Sequence, residues 1–242
     1  LGLFANAGGL PIIVDDQLIG AIGIGGSAPR IAEGWSDEIC AHNAMTEVLG
    51  PQPPLLEDLP RPRPAPTAPV PRFRADEAPE SSLPSEWVVS GAAAARILNA
   101  NQISSDAARR VAQTCRGWAA DRGESMSLFI LAPSGDLVHG ERMDGQVSLN
   151  MKTALMKAET ALRSRSATSF RHAAITNNPG GFPRAVELFD FYSEPGGLPI
   201  AVDGQLIGAI GVSGMNSGED EACAIEGLTS VFGDRVTLPV YQ

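Results

Sequence analysis

Residues that build most cofactor and metal sites are scarce in this chain. Among 242 residues there are 3 cysteines, 3 histidines and only 5% aromatic side chains. Cys40, Cys115 and Cys223 are too few and too scattered for a disulfide scaffold. No Cys-x-x-Cys or Cys-x-x-Cys-His occurs, so the redox compartment stays open. Zinc-type ligand spacing and a Gly-x-Ser-x-Gly elbow are also absent, which leaves metalloprotease and serine-hydrolase readings without support. Positive charge is short as well: 18 Lys and Arg face 28 Asp and Glu, a net charge of −10. Such a balance offers no broad footprint to a phosphate backbone or an anionic bilayer, so neither nucleic acid nor membrane is expected as partner. No apolar run reaches the length of a membrane span, and Leu1 to Asn6 carries neither a basic region nor a following cleavage site. A leader removed ahead of residue 1 would leave no trace.

What is present is ordinary in amount and unusual in distribution. Hydrophobic residues make up 43% and charged residues 19%, as in a globular protein. Of 19 prolines, 11 fall between Pro51 and Pro84. This stretch alternates proline with Arg, Ala, Thr and Glu, which favours an extended polyproline-like connector, expected here to strap the flanking blocks together.

Self-comparison is more informative. Gly8 to Gly26 (GGLPIIVDDQLIGAIGIGG) matches Gly196 to Gly214 (GGLPIAVDGQLIGAIGVSG) at fifteen of nineteen positions. After a loop five residues longer in the first copy, Asp37-Glu38-x-Cys40 pairs with Asp220-Glu221-x-Cys223, and Gly50 pairs with Gly233. Each copy reads as strand, two-residue turn, strand, glycine-rich loop and helix. Asp203-Gly204 is a type I′ signal because both turn residues need positive φ, a geometry that Asp15-Asp16 tolerates less well. The closing helix, near Glu219 to Phe232, places Cys223, Gly227, Leu228 and Val231 on one stripe.

Only the second copy has a front half. Ser104 or Ser105 caps a helix to about Asp121, with Ala108, Val111, Cys115 and Trp118 as its stripe and Gly123 as its stop. Strands follow at Met126 to Ala132 and Leu137 to Glu141, across a Pro133-Ser134-Gly135-Asp136 turn. Ser148 opens a helix to about Arg165, with Leu149, Leu155, Met156, Ala158 and Leu162 expected to face inward. A short helix is expected near Ala185 to Phe191. The fold class is therefore α+β, an antiparallel sheet covered by helices. Residues 1–50 hold the C-terminal half of one module, 51–89 a proline-rich linker, and 90–242 a complete module. Two strands and a helix have too little core to stand alone. The missing front is expected from a preceding segment or from another chain.

Four ordered blocks carry a resemblance. They are Gly135-Asp136-Leu137-Val138-x-x-Glu141-Arg142-Met143-Asp144-Gly145; Lys157-Ala158-x-Thr160-Ala161; Gly196-Gly197-Leu198-Pro199-Ile200-x-Val202-Asp203-Gly204; and Gly208 to Gly214 with Asp220-Glu221-x-Cys223. Together they resemble the GlcG/HbpS-like family, found also at the C-terminus of PduO-type proteins. The resemblance covers nearly all of residues 100 to 242 and recurs over 7 to 50. It implies an α/β sandwich of profilin-like build, oligomeric assembly, and haem binding in several members. Periplasmic or secreted residence is favoured over cytoplasmic.

Haem needs an apolar slot and an axial ligand. His139, on the strand leading into Arg142-Met143-Asp144, and His172, after the Lys157 helix, are the metal-ligand candidates, with Met143 and Tyr192 behind them. Neither histidine sits in a family motif, and each reads more readily as an outward polar residue than as a ligand. Arg142 suits a carboxylate or propionate, and it also suits a structural pair with Asp144. The ligand is expected between Arg142, Met143 and Asp144, the Lys157 helix and Gly196-Gly197. The glycines at 208, 211 and 214 do not form a phosphate loop, since the spacing is wrong and Glu219, Asp220 and Glu221 would repel phosphate. Two functions stay open: a small-molecule binder, with haem or another planar ligand as cargo, and an enzyme acting on a small carboxylated or hydroxylated compound. The enzyme would use Lys157 or Glu141 as base and Arg142 as anion clamp. As partners, a homo-oligomer or a complementary half-module chain is expected, since the half-module would expose unpaired edges.

Overall fold

The computed structural model describes residues 8–26, 36–55, 81–94, 101–177 and 191–240. The chain divides into two compact units, Leu1–Pro69 and Val70–Gln242. Most of the proline-rich connector, and most of the expected helix near Ala185 to Phe191, lie outside the described residues.

In the first unit, two short apolar runs separated by Asp15-Asp16 fold into a hairpin of β1 (Gly9–Val14) and β2 (Gln17–Gly23), followed by α1 (Asp37–Leu49). Both turn aspartates take positive φ, 48° and 60°, so the I′ geometry forms without glycine. Ser36 caps α1 by accepting from the Ile39 amide. Of the α1 side chains, Ala41 and Met45 alone are buried.

The second unit begins with a short turn of helix, α2 (Gly91–Ala94), then α3 (Ser105–Ala120), β3 (Ser127–Leu131) and β4 (Leu137–Arg142). It continues through α4 (Ser148–Ser164), α5 (Thr168–Asn177), β5 (Gly197–Val202), β6 (Gln205–Ser213) and α6 (Ser217–Phe232). The strands form one antiparallel sheet in the order β4-β3-β6-β5. Its central pair is in register at Phe129 with Gly211 and Ile130 with Ile210, while Gly197 also faces Gly211. Helices α3 and α6 cover one face, where Val111, Cys115, Leu128, Ile130, Ile200, Ile210, Leu228 and Phe232 make the core. The core also takes Leu83, Trp87 and Val88, so the end of the stretch read as linker packs with the second unit. Trp87 meets Phe232 edge to face.

Helix α4 lies on the opposite face and comes unusually close. A Cβ on Gly211 would sit 2.0 Å from the Ala154 carbonyl oxygen, and one on Gly197 2.5 Å from that of Lys157. Contact at this distance requires glycine on the strands and small residues on the helix. The buried stripe of α4 is accordingly Ala154, Lys157, Ala158, Thr160 and Ala161. This corrects the expected inward set: Leu149 is 68% exposed, and Leu155, Met156 and Leu162 are half-buried. The segment around His172, expected as a loop, is helical as part of α5.

The cysteines provide a further correction. Cys115 on α3 and Cys223 on α6 form a disulfide across 108 residues, buried in the core. Cys40 is a free thiol. Scarcity argued against a cysteine-built scaffold, but pairing depends on where α3 and α6 cross, which spacing does not reveal.

Candidate functional site

Two groups of polar residues stand out in the second unit, on opposite sides of its sheet. The first gathers where α4, α5, the start of β5 and the start of α6 meet. Lys157 and Asp220 are each only 2% exposed, and Lys157 Nζ donates to Asp220 Oδ2 over 2.8 Å. Asp220 Oδ1 accepts from the Met215 amide. Glu221 accepts from the Ser169 hydroxyl at 2.9 Å and from the Gly196 amide at 3.2 Å. Thr168 Oγ1 accepts from the Gly197 amide. Burial pushes the carboxyls of both Asp220 and Glu221 above their ordinary range; Lys157 opposes this at Asp220, and the hydrogen bonds oppose it at Glu221.

This network fixes the glycine loop. A Cβ on Gly196 would meet the Val212 carbonyl at 2.6 Å, Asp220 Cβ at 2.9 Å and Lys157 Nζ at 3.0 Å. Gly196 and Gly197, expected to face a ligand, are packed by the protein itself. Lys157 is neither a solvated helix lysine nor an open amine, because its charge is committed to Asp220. Asp220 and Glu221, read from sequence as helix-start acids, do more than complement the dipole. Asn216 takes the capping role by accepting from the Glu219 amide. The repeated Asp-Glu-x-Cys block was the available signal.

The second group lies on edge strand β4. His139 and Glu141 share the face toward α3, their Nε2 and Oε2 atoms 3.7 Å apart, and Arg116 on α3 binds Glu141 Oε1 at 2.7 Å. Among the described residues, His139 Nε2 is enclosed and makes no hydrogen bond. Arg142 and Asp144 are exposed, and Met143 packs partly against the core while its amide donates to the Met126 carbonyl. Arg142 pairs across the strand with Ser127 and so faces away from His139; one ligand touching both would straddle the free edge of β4. Lys157 and Glu141, the two candidate bases, stand on opposite faces of the sheet. Arg116 was the member of this group that the sequence did not disclose.

His172 projects from α5, exposed, with Nδ1 3.4 Å from Glu194 Oε1. The Tyr192 amide donates to Thr160 Oγ1. Among the described residues of the second unit, two hollows are lined by none of these groups. One, of about 550 Å³, lies beside α3 between Glu86, Ser104, Arg109 and Arg110 and contains no haem-type ligand. The other, of about 120 Å³, lies between Phe170, Leu198, Pro199 and Leu238. Among the described residues no cluster of three or more His, Cys, Asp or Glu is placed to hold a metal ion, and no helix is long and apolar enough to cross a membrane.

Comparison with known proteins places this architecture. A family model described as "Haem degrading protein HbpS-like" matches residues 103–229, more than half of the chain. The chain belongs to the HbpS-like family. Protein GlcG of Escherichia coli K12 is 35% identical over 89 residues, which are 37% of this chain and 64% of that relative. The match thus spans less than two thirds of the curated relative's length. Among solved structures, HbpS is 25% identical with a TM-score of 0.50, covering 57% of this chain and 94% of its own. The Klebsiella pneumoniae protein ORFY is 25% identical with a TM-score of 0.50, covering 57% and 98%. A PduOC–haem complex, at 20% identity and TM-score 0.51 over 56% and 97%, shares the fold. HbpS-like membership agrees with the mixed α+β build and antiparallel sheet of the second unit.

Proposed function

We propose that this HbpS-like protein binds a small planar ligand of the haem type, with His139 as its iron ligand. One observation carries this reading: His139 Nε2 is an enclosed imidazole nitrogen without a hydrogen bond among the described residues. An imidazole nitrogen that no hydrogen bond holds is the kind of atom that coordinates haem iron. Glu141 Oε2 lies 3.7 Å from this same nitrogen, so that carboxylate, which Arg116 holds through Oε1, would swing aside for the iron. The family description and the haem complex of a structural neighbour support the choice of ligand. Haem, when bound, supplies an apolar plate with an iron centre and two propionates. For the chain's part, His139 would hold the iron, Leu137 would offer exposed apolar surface on the same strand, and Arg142 would hold a propionate over the strand edge.

Titration with haemin tests this. The expected result is a saturable Soret shift that is lost in His139→Ala, kept in His172→Ala and weakened in Arg142→Ala. Absence of a saturable shift at stoichiometric haemin sinks the reading, and dependence on His172 alone moves the ligand to α5. Followed over time, the same spectra read whether bound porphyrin bleaches, the activity that the family description names. The enzyme reading with a Lys157 base draws no support from the geometry, since Lys157 is closed in with Asp220 and lies across the sheet from Glu141. Homo-oligomeric assembly is part of the proposal and is read by light scattering. The buried Cys115–Cys223 bond supports a periplasmic or secreted setting.

A further inference from the structure

The first unit repeats the geometry of the second where it is complete. A Cβ on Gly8 would meet the Ile24 carbonyl at 2.3 Å and Asp37 Cβ at 2.8 Å. Its counterpart Gly196 meets the Val212 carbonyl and Asp220 Cβ at 2.6 and 2.9 Å. Hairpin and helix are therefore set against each other in the same way in both copies.

The outward glycines differ. In the second unit Gly197 and Gly211 receive the backbone of α4, and Gly208 lies 2.4 Å, at its Cβ position, from the Leu131 carbonyl at the end of β3. In the first unit the matching Gly9 and Gly23 meet nothing within 4 Å among the described residues, and Gly20 meets only Ile12 of its own hairpin. Ile207 is fully buried, whereas its counterpart Ile19 is 61% exposed. Among the described residues, strand β2 holds the place of β6 but pairs on one side only, with β1. A row of unpaired backbone groups beside exposed apolar residues is a surface built to receive a strand. Cys40, which matches Cys223, is a free thiol where the second unit has a disulfide to the first helix of the front half.

We propose that the β1–β2 sheet of the first unit is a docking surface for a front-half segment of HbpS-like build, a helix–hairpin–helix like residues 105–164. Its strand pairs with β2 past Gly20, its second helix seats small residues on Gly9 and Gly23, and its first helix presents a cysteine to Cys40. The occupant is specified by its internal counterpart, because the matching glycines of the second unit, Gly197 and Gly211, receive the backbone of α4. A flat apolar partner would gain nothing from Gly9 and Gly23.

The test is co-expression of the full chain with a tagged segment of residues 101–177, which carries Cys115. The expected result is one-to-one capture and, with oxidised glutathione supplied as the two-electron acceptor and released as two reduced glutathiones, a Cys40–Cys115 intermolecular disulfide in peptide maps, both abolished by Gly23→Leu while hydrogen exchange of residues 197–213 is unchanged. Four outcomes overturn the proposal: a soluble segment that is not captured; a link through Cys223, which would mean exchange into the second unit; capture indifferent to Gly23→Leu; or two chains pairing through β2 without the segment. If the segment aggregates alone, the sequence of residues 101–188 placed ahead of Leu1 keeps the repeat register. Cys40 should then lose its reactivity toward thiol reagents and regain it in Gly23→Leu, and a Cys40 that stays reactive in the fused chain refutes the docking surface.

Discussion

The hairpins β1–β2 and β5–β6 share fifteen of nineteen residues over Gly8–Gly26 and Gly196–Gly214, yet they live in different surroundings. In β6, seven successive residues from Ile207 are buried, while in β2 only Gly20 and Ile22 are even half-buried. The strands form and turn in the same way in both copies, so local sequence suffices for the hairpin. Burial comes from β3, α4 and α3, which residues 8–55 do not include. One glycine pattern is thus a packing device in one copy and open surface in the other.

That contrast can be broken most severely at the cysteines. Removing the Cys115–Cys223 bond by Cys115→Ser should cost the second unit roughly 4.7 kcal/mol by the chain-entropy estimate for a loop of about 100 residues. Cys40→Ser should leave the first unit's stability unchanged; denaturant titration with region-resolved hydrogen exchange separates the units. Next comes the buried pair. Lys157→Met strands Asp220 and should destabilise the second unit by about 3–5 kcal/mol, with much of the loss restored when Asp220 is changed to Asn as well. An equal loss in single and double variants would mean that packing, not charge, holds this corner.

The glycines give the most direct version. Gly211→Ala should destabilise by about 3 kcal/mol, because its methyl group would collide with the Ala154 carbonyl, whereas Gly23→Ala should lie within about 0.5 kcal/mol of the parent. Comparable losses at both positions would show that the first unit is covered. The smallest effect is in pH. Glu221 has a folded pKa raised by burial above its ordinary 4.5, so the folded state holds the proton more tightly than the unfolded one. Its contribution is then greatest below the unfolded pKa and is lost as pH rises through the raised value. Glu221→Gln should flatten that slope, as measured by denaturation midpoints between pH 4 and 7; an unchanged slope would assign it to Asp220.

Much of the second unit was legible in the chain. Ser104 as a cap, Gly123 as a stop and the Asp203-Gly204 turn are short-range signals, and they fall where local chemistry puts them. The periodicity of α4 was misleading, since hydrophobicity pointed to Leu149 while the face that packs is Ala154, Ala158 and Ala161 around a lysine. A helix that presses its backbone onto glycine strands must bury its smallest residues, and hydrophobicity alone gives those little weight. Of the candidate site, Glu141 and His139 were found as residues, but their alignment with Arg116 was not, because that contact joins positions 25 apart through the crossing of α3 and β4.

By itself the sequence determined the repeat, the hairpins, the helix ends and the family likeness, all of which rest on near neighbours or on self-similarity. Tertiary structure alone decided that Lys157 is sealed against Asp220, that Cys115 finds Cys223 and that, among the described residues, His139 keeps a nitrogen without a hydrogen bond and one set of glycines is filled while its twin is bare. Those facts depend on which distant segments reach the same few ångströms. Close packing sets that distance, and identical local sequence can meet it in one place and miss it in another.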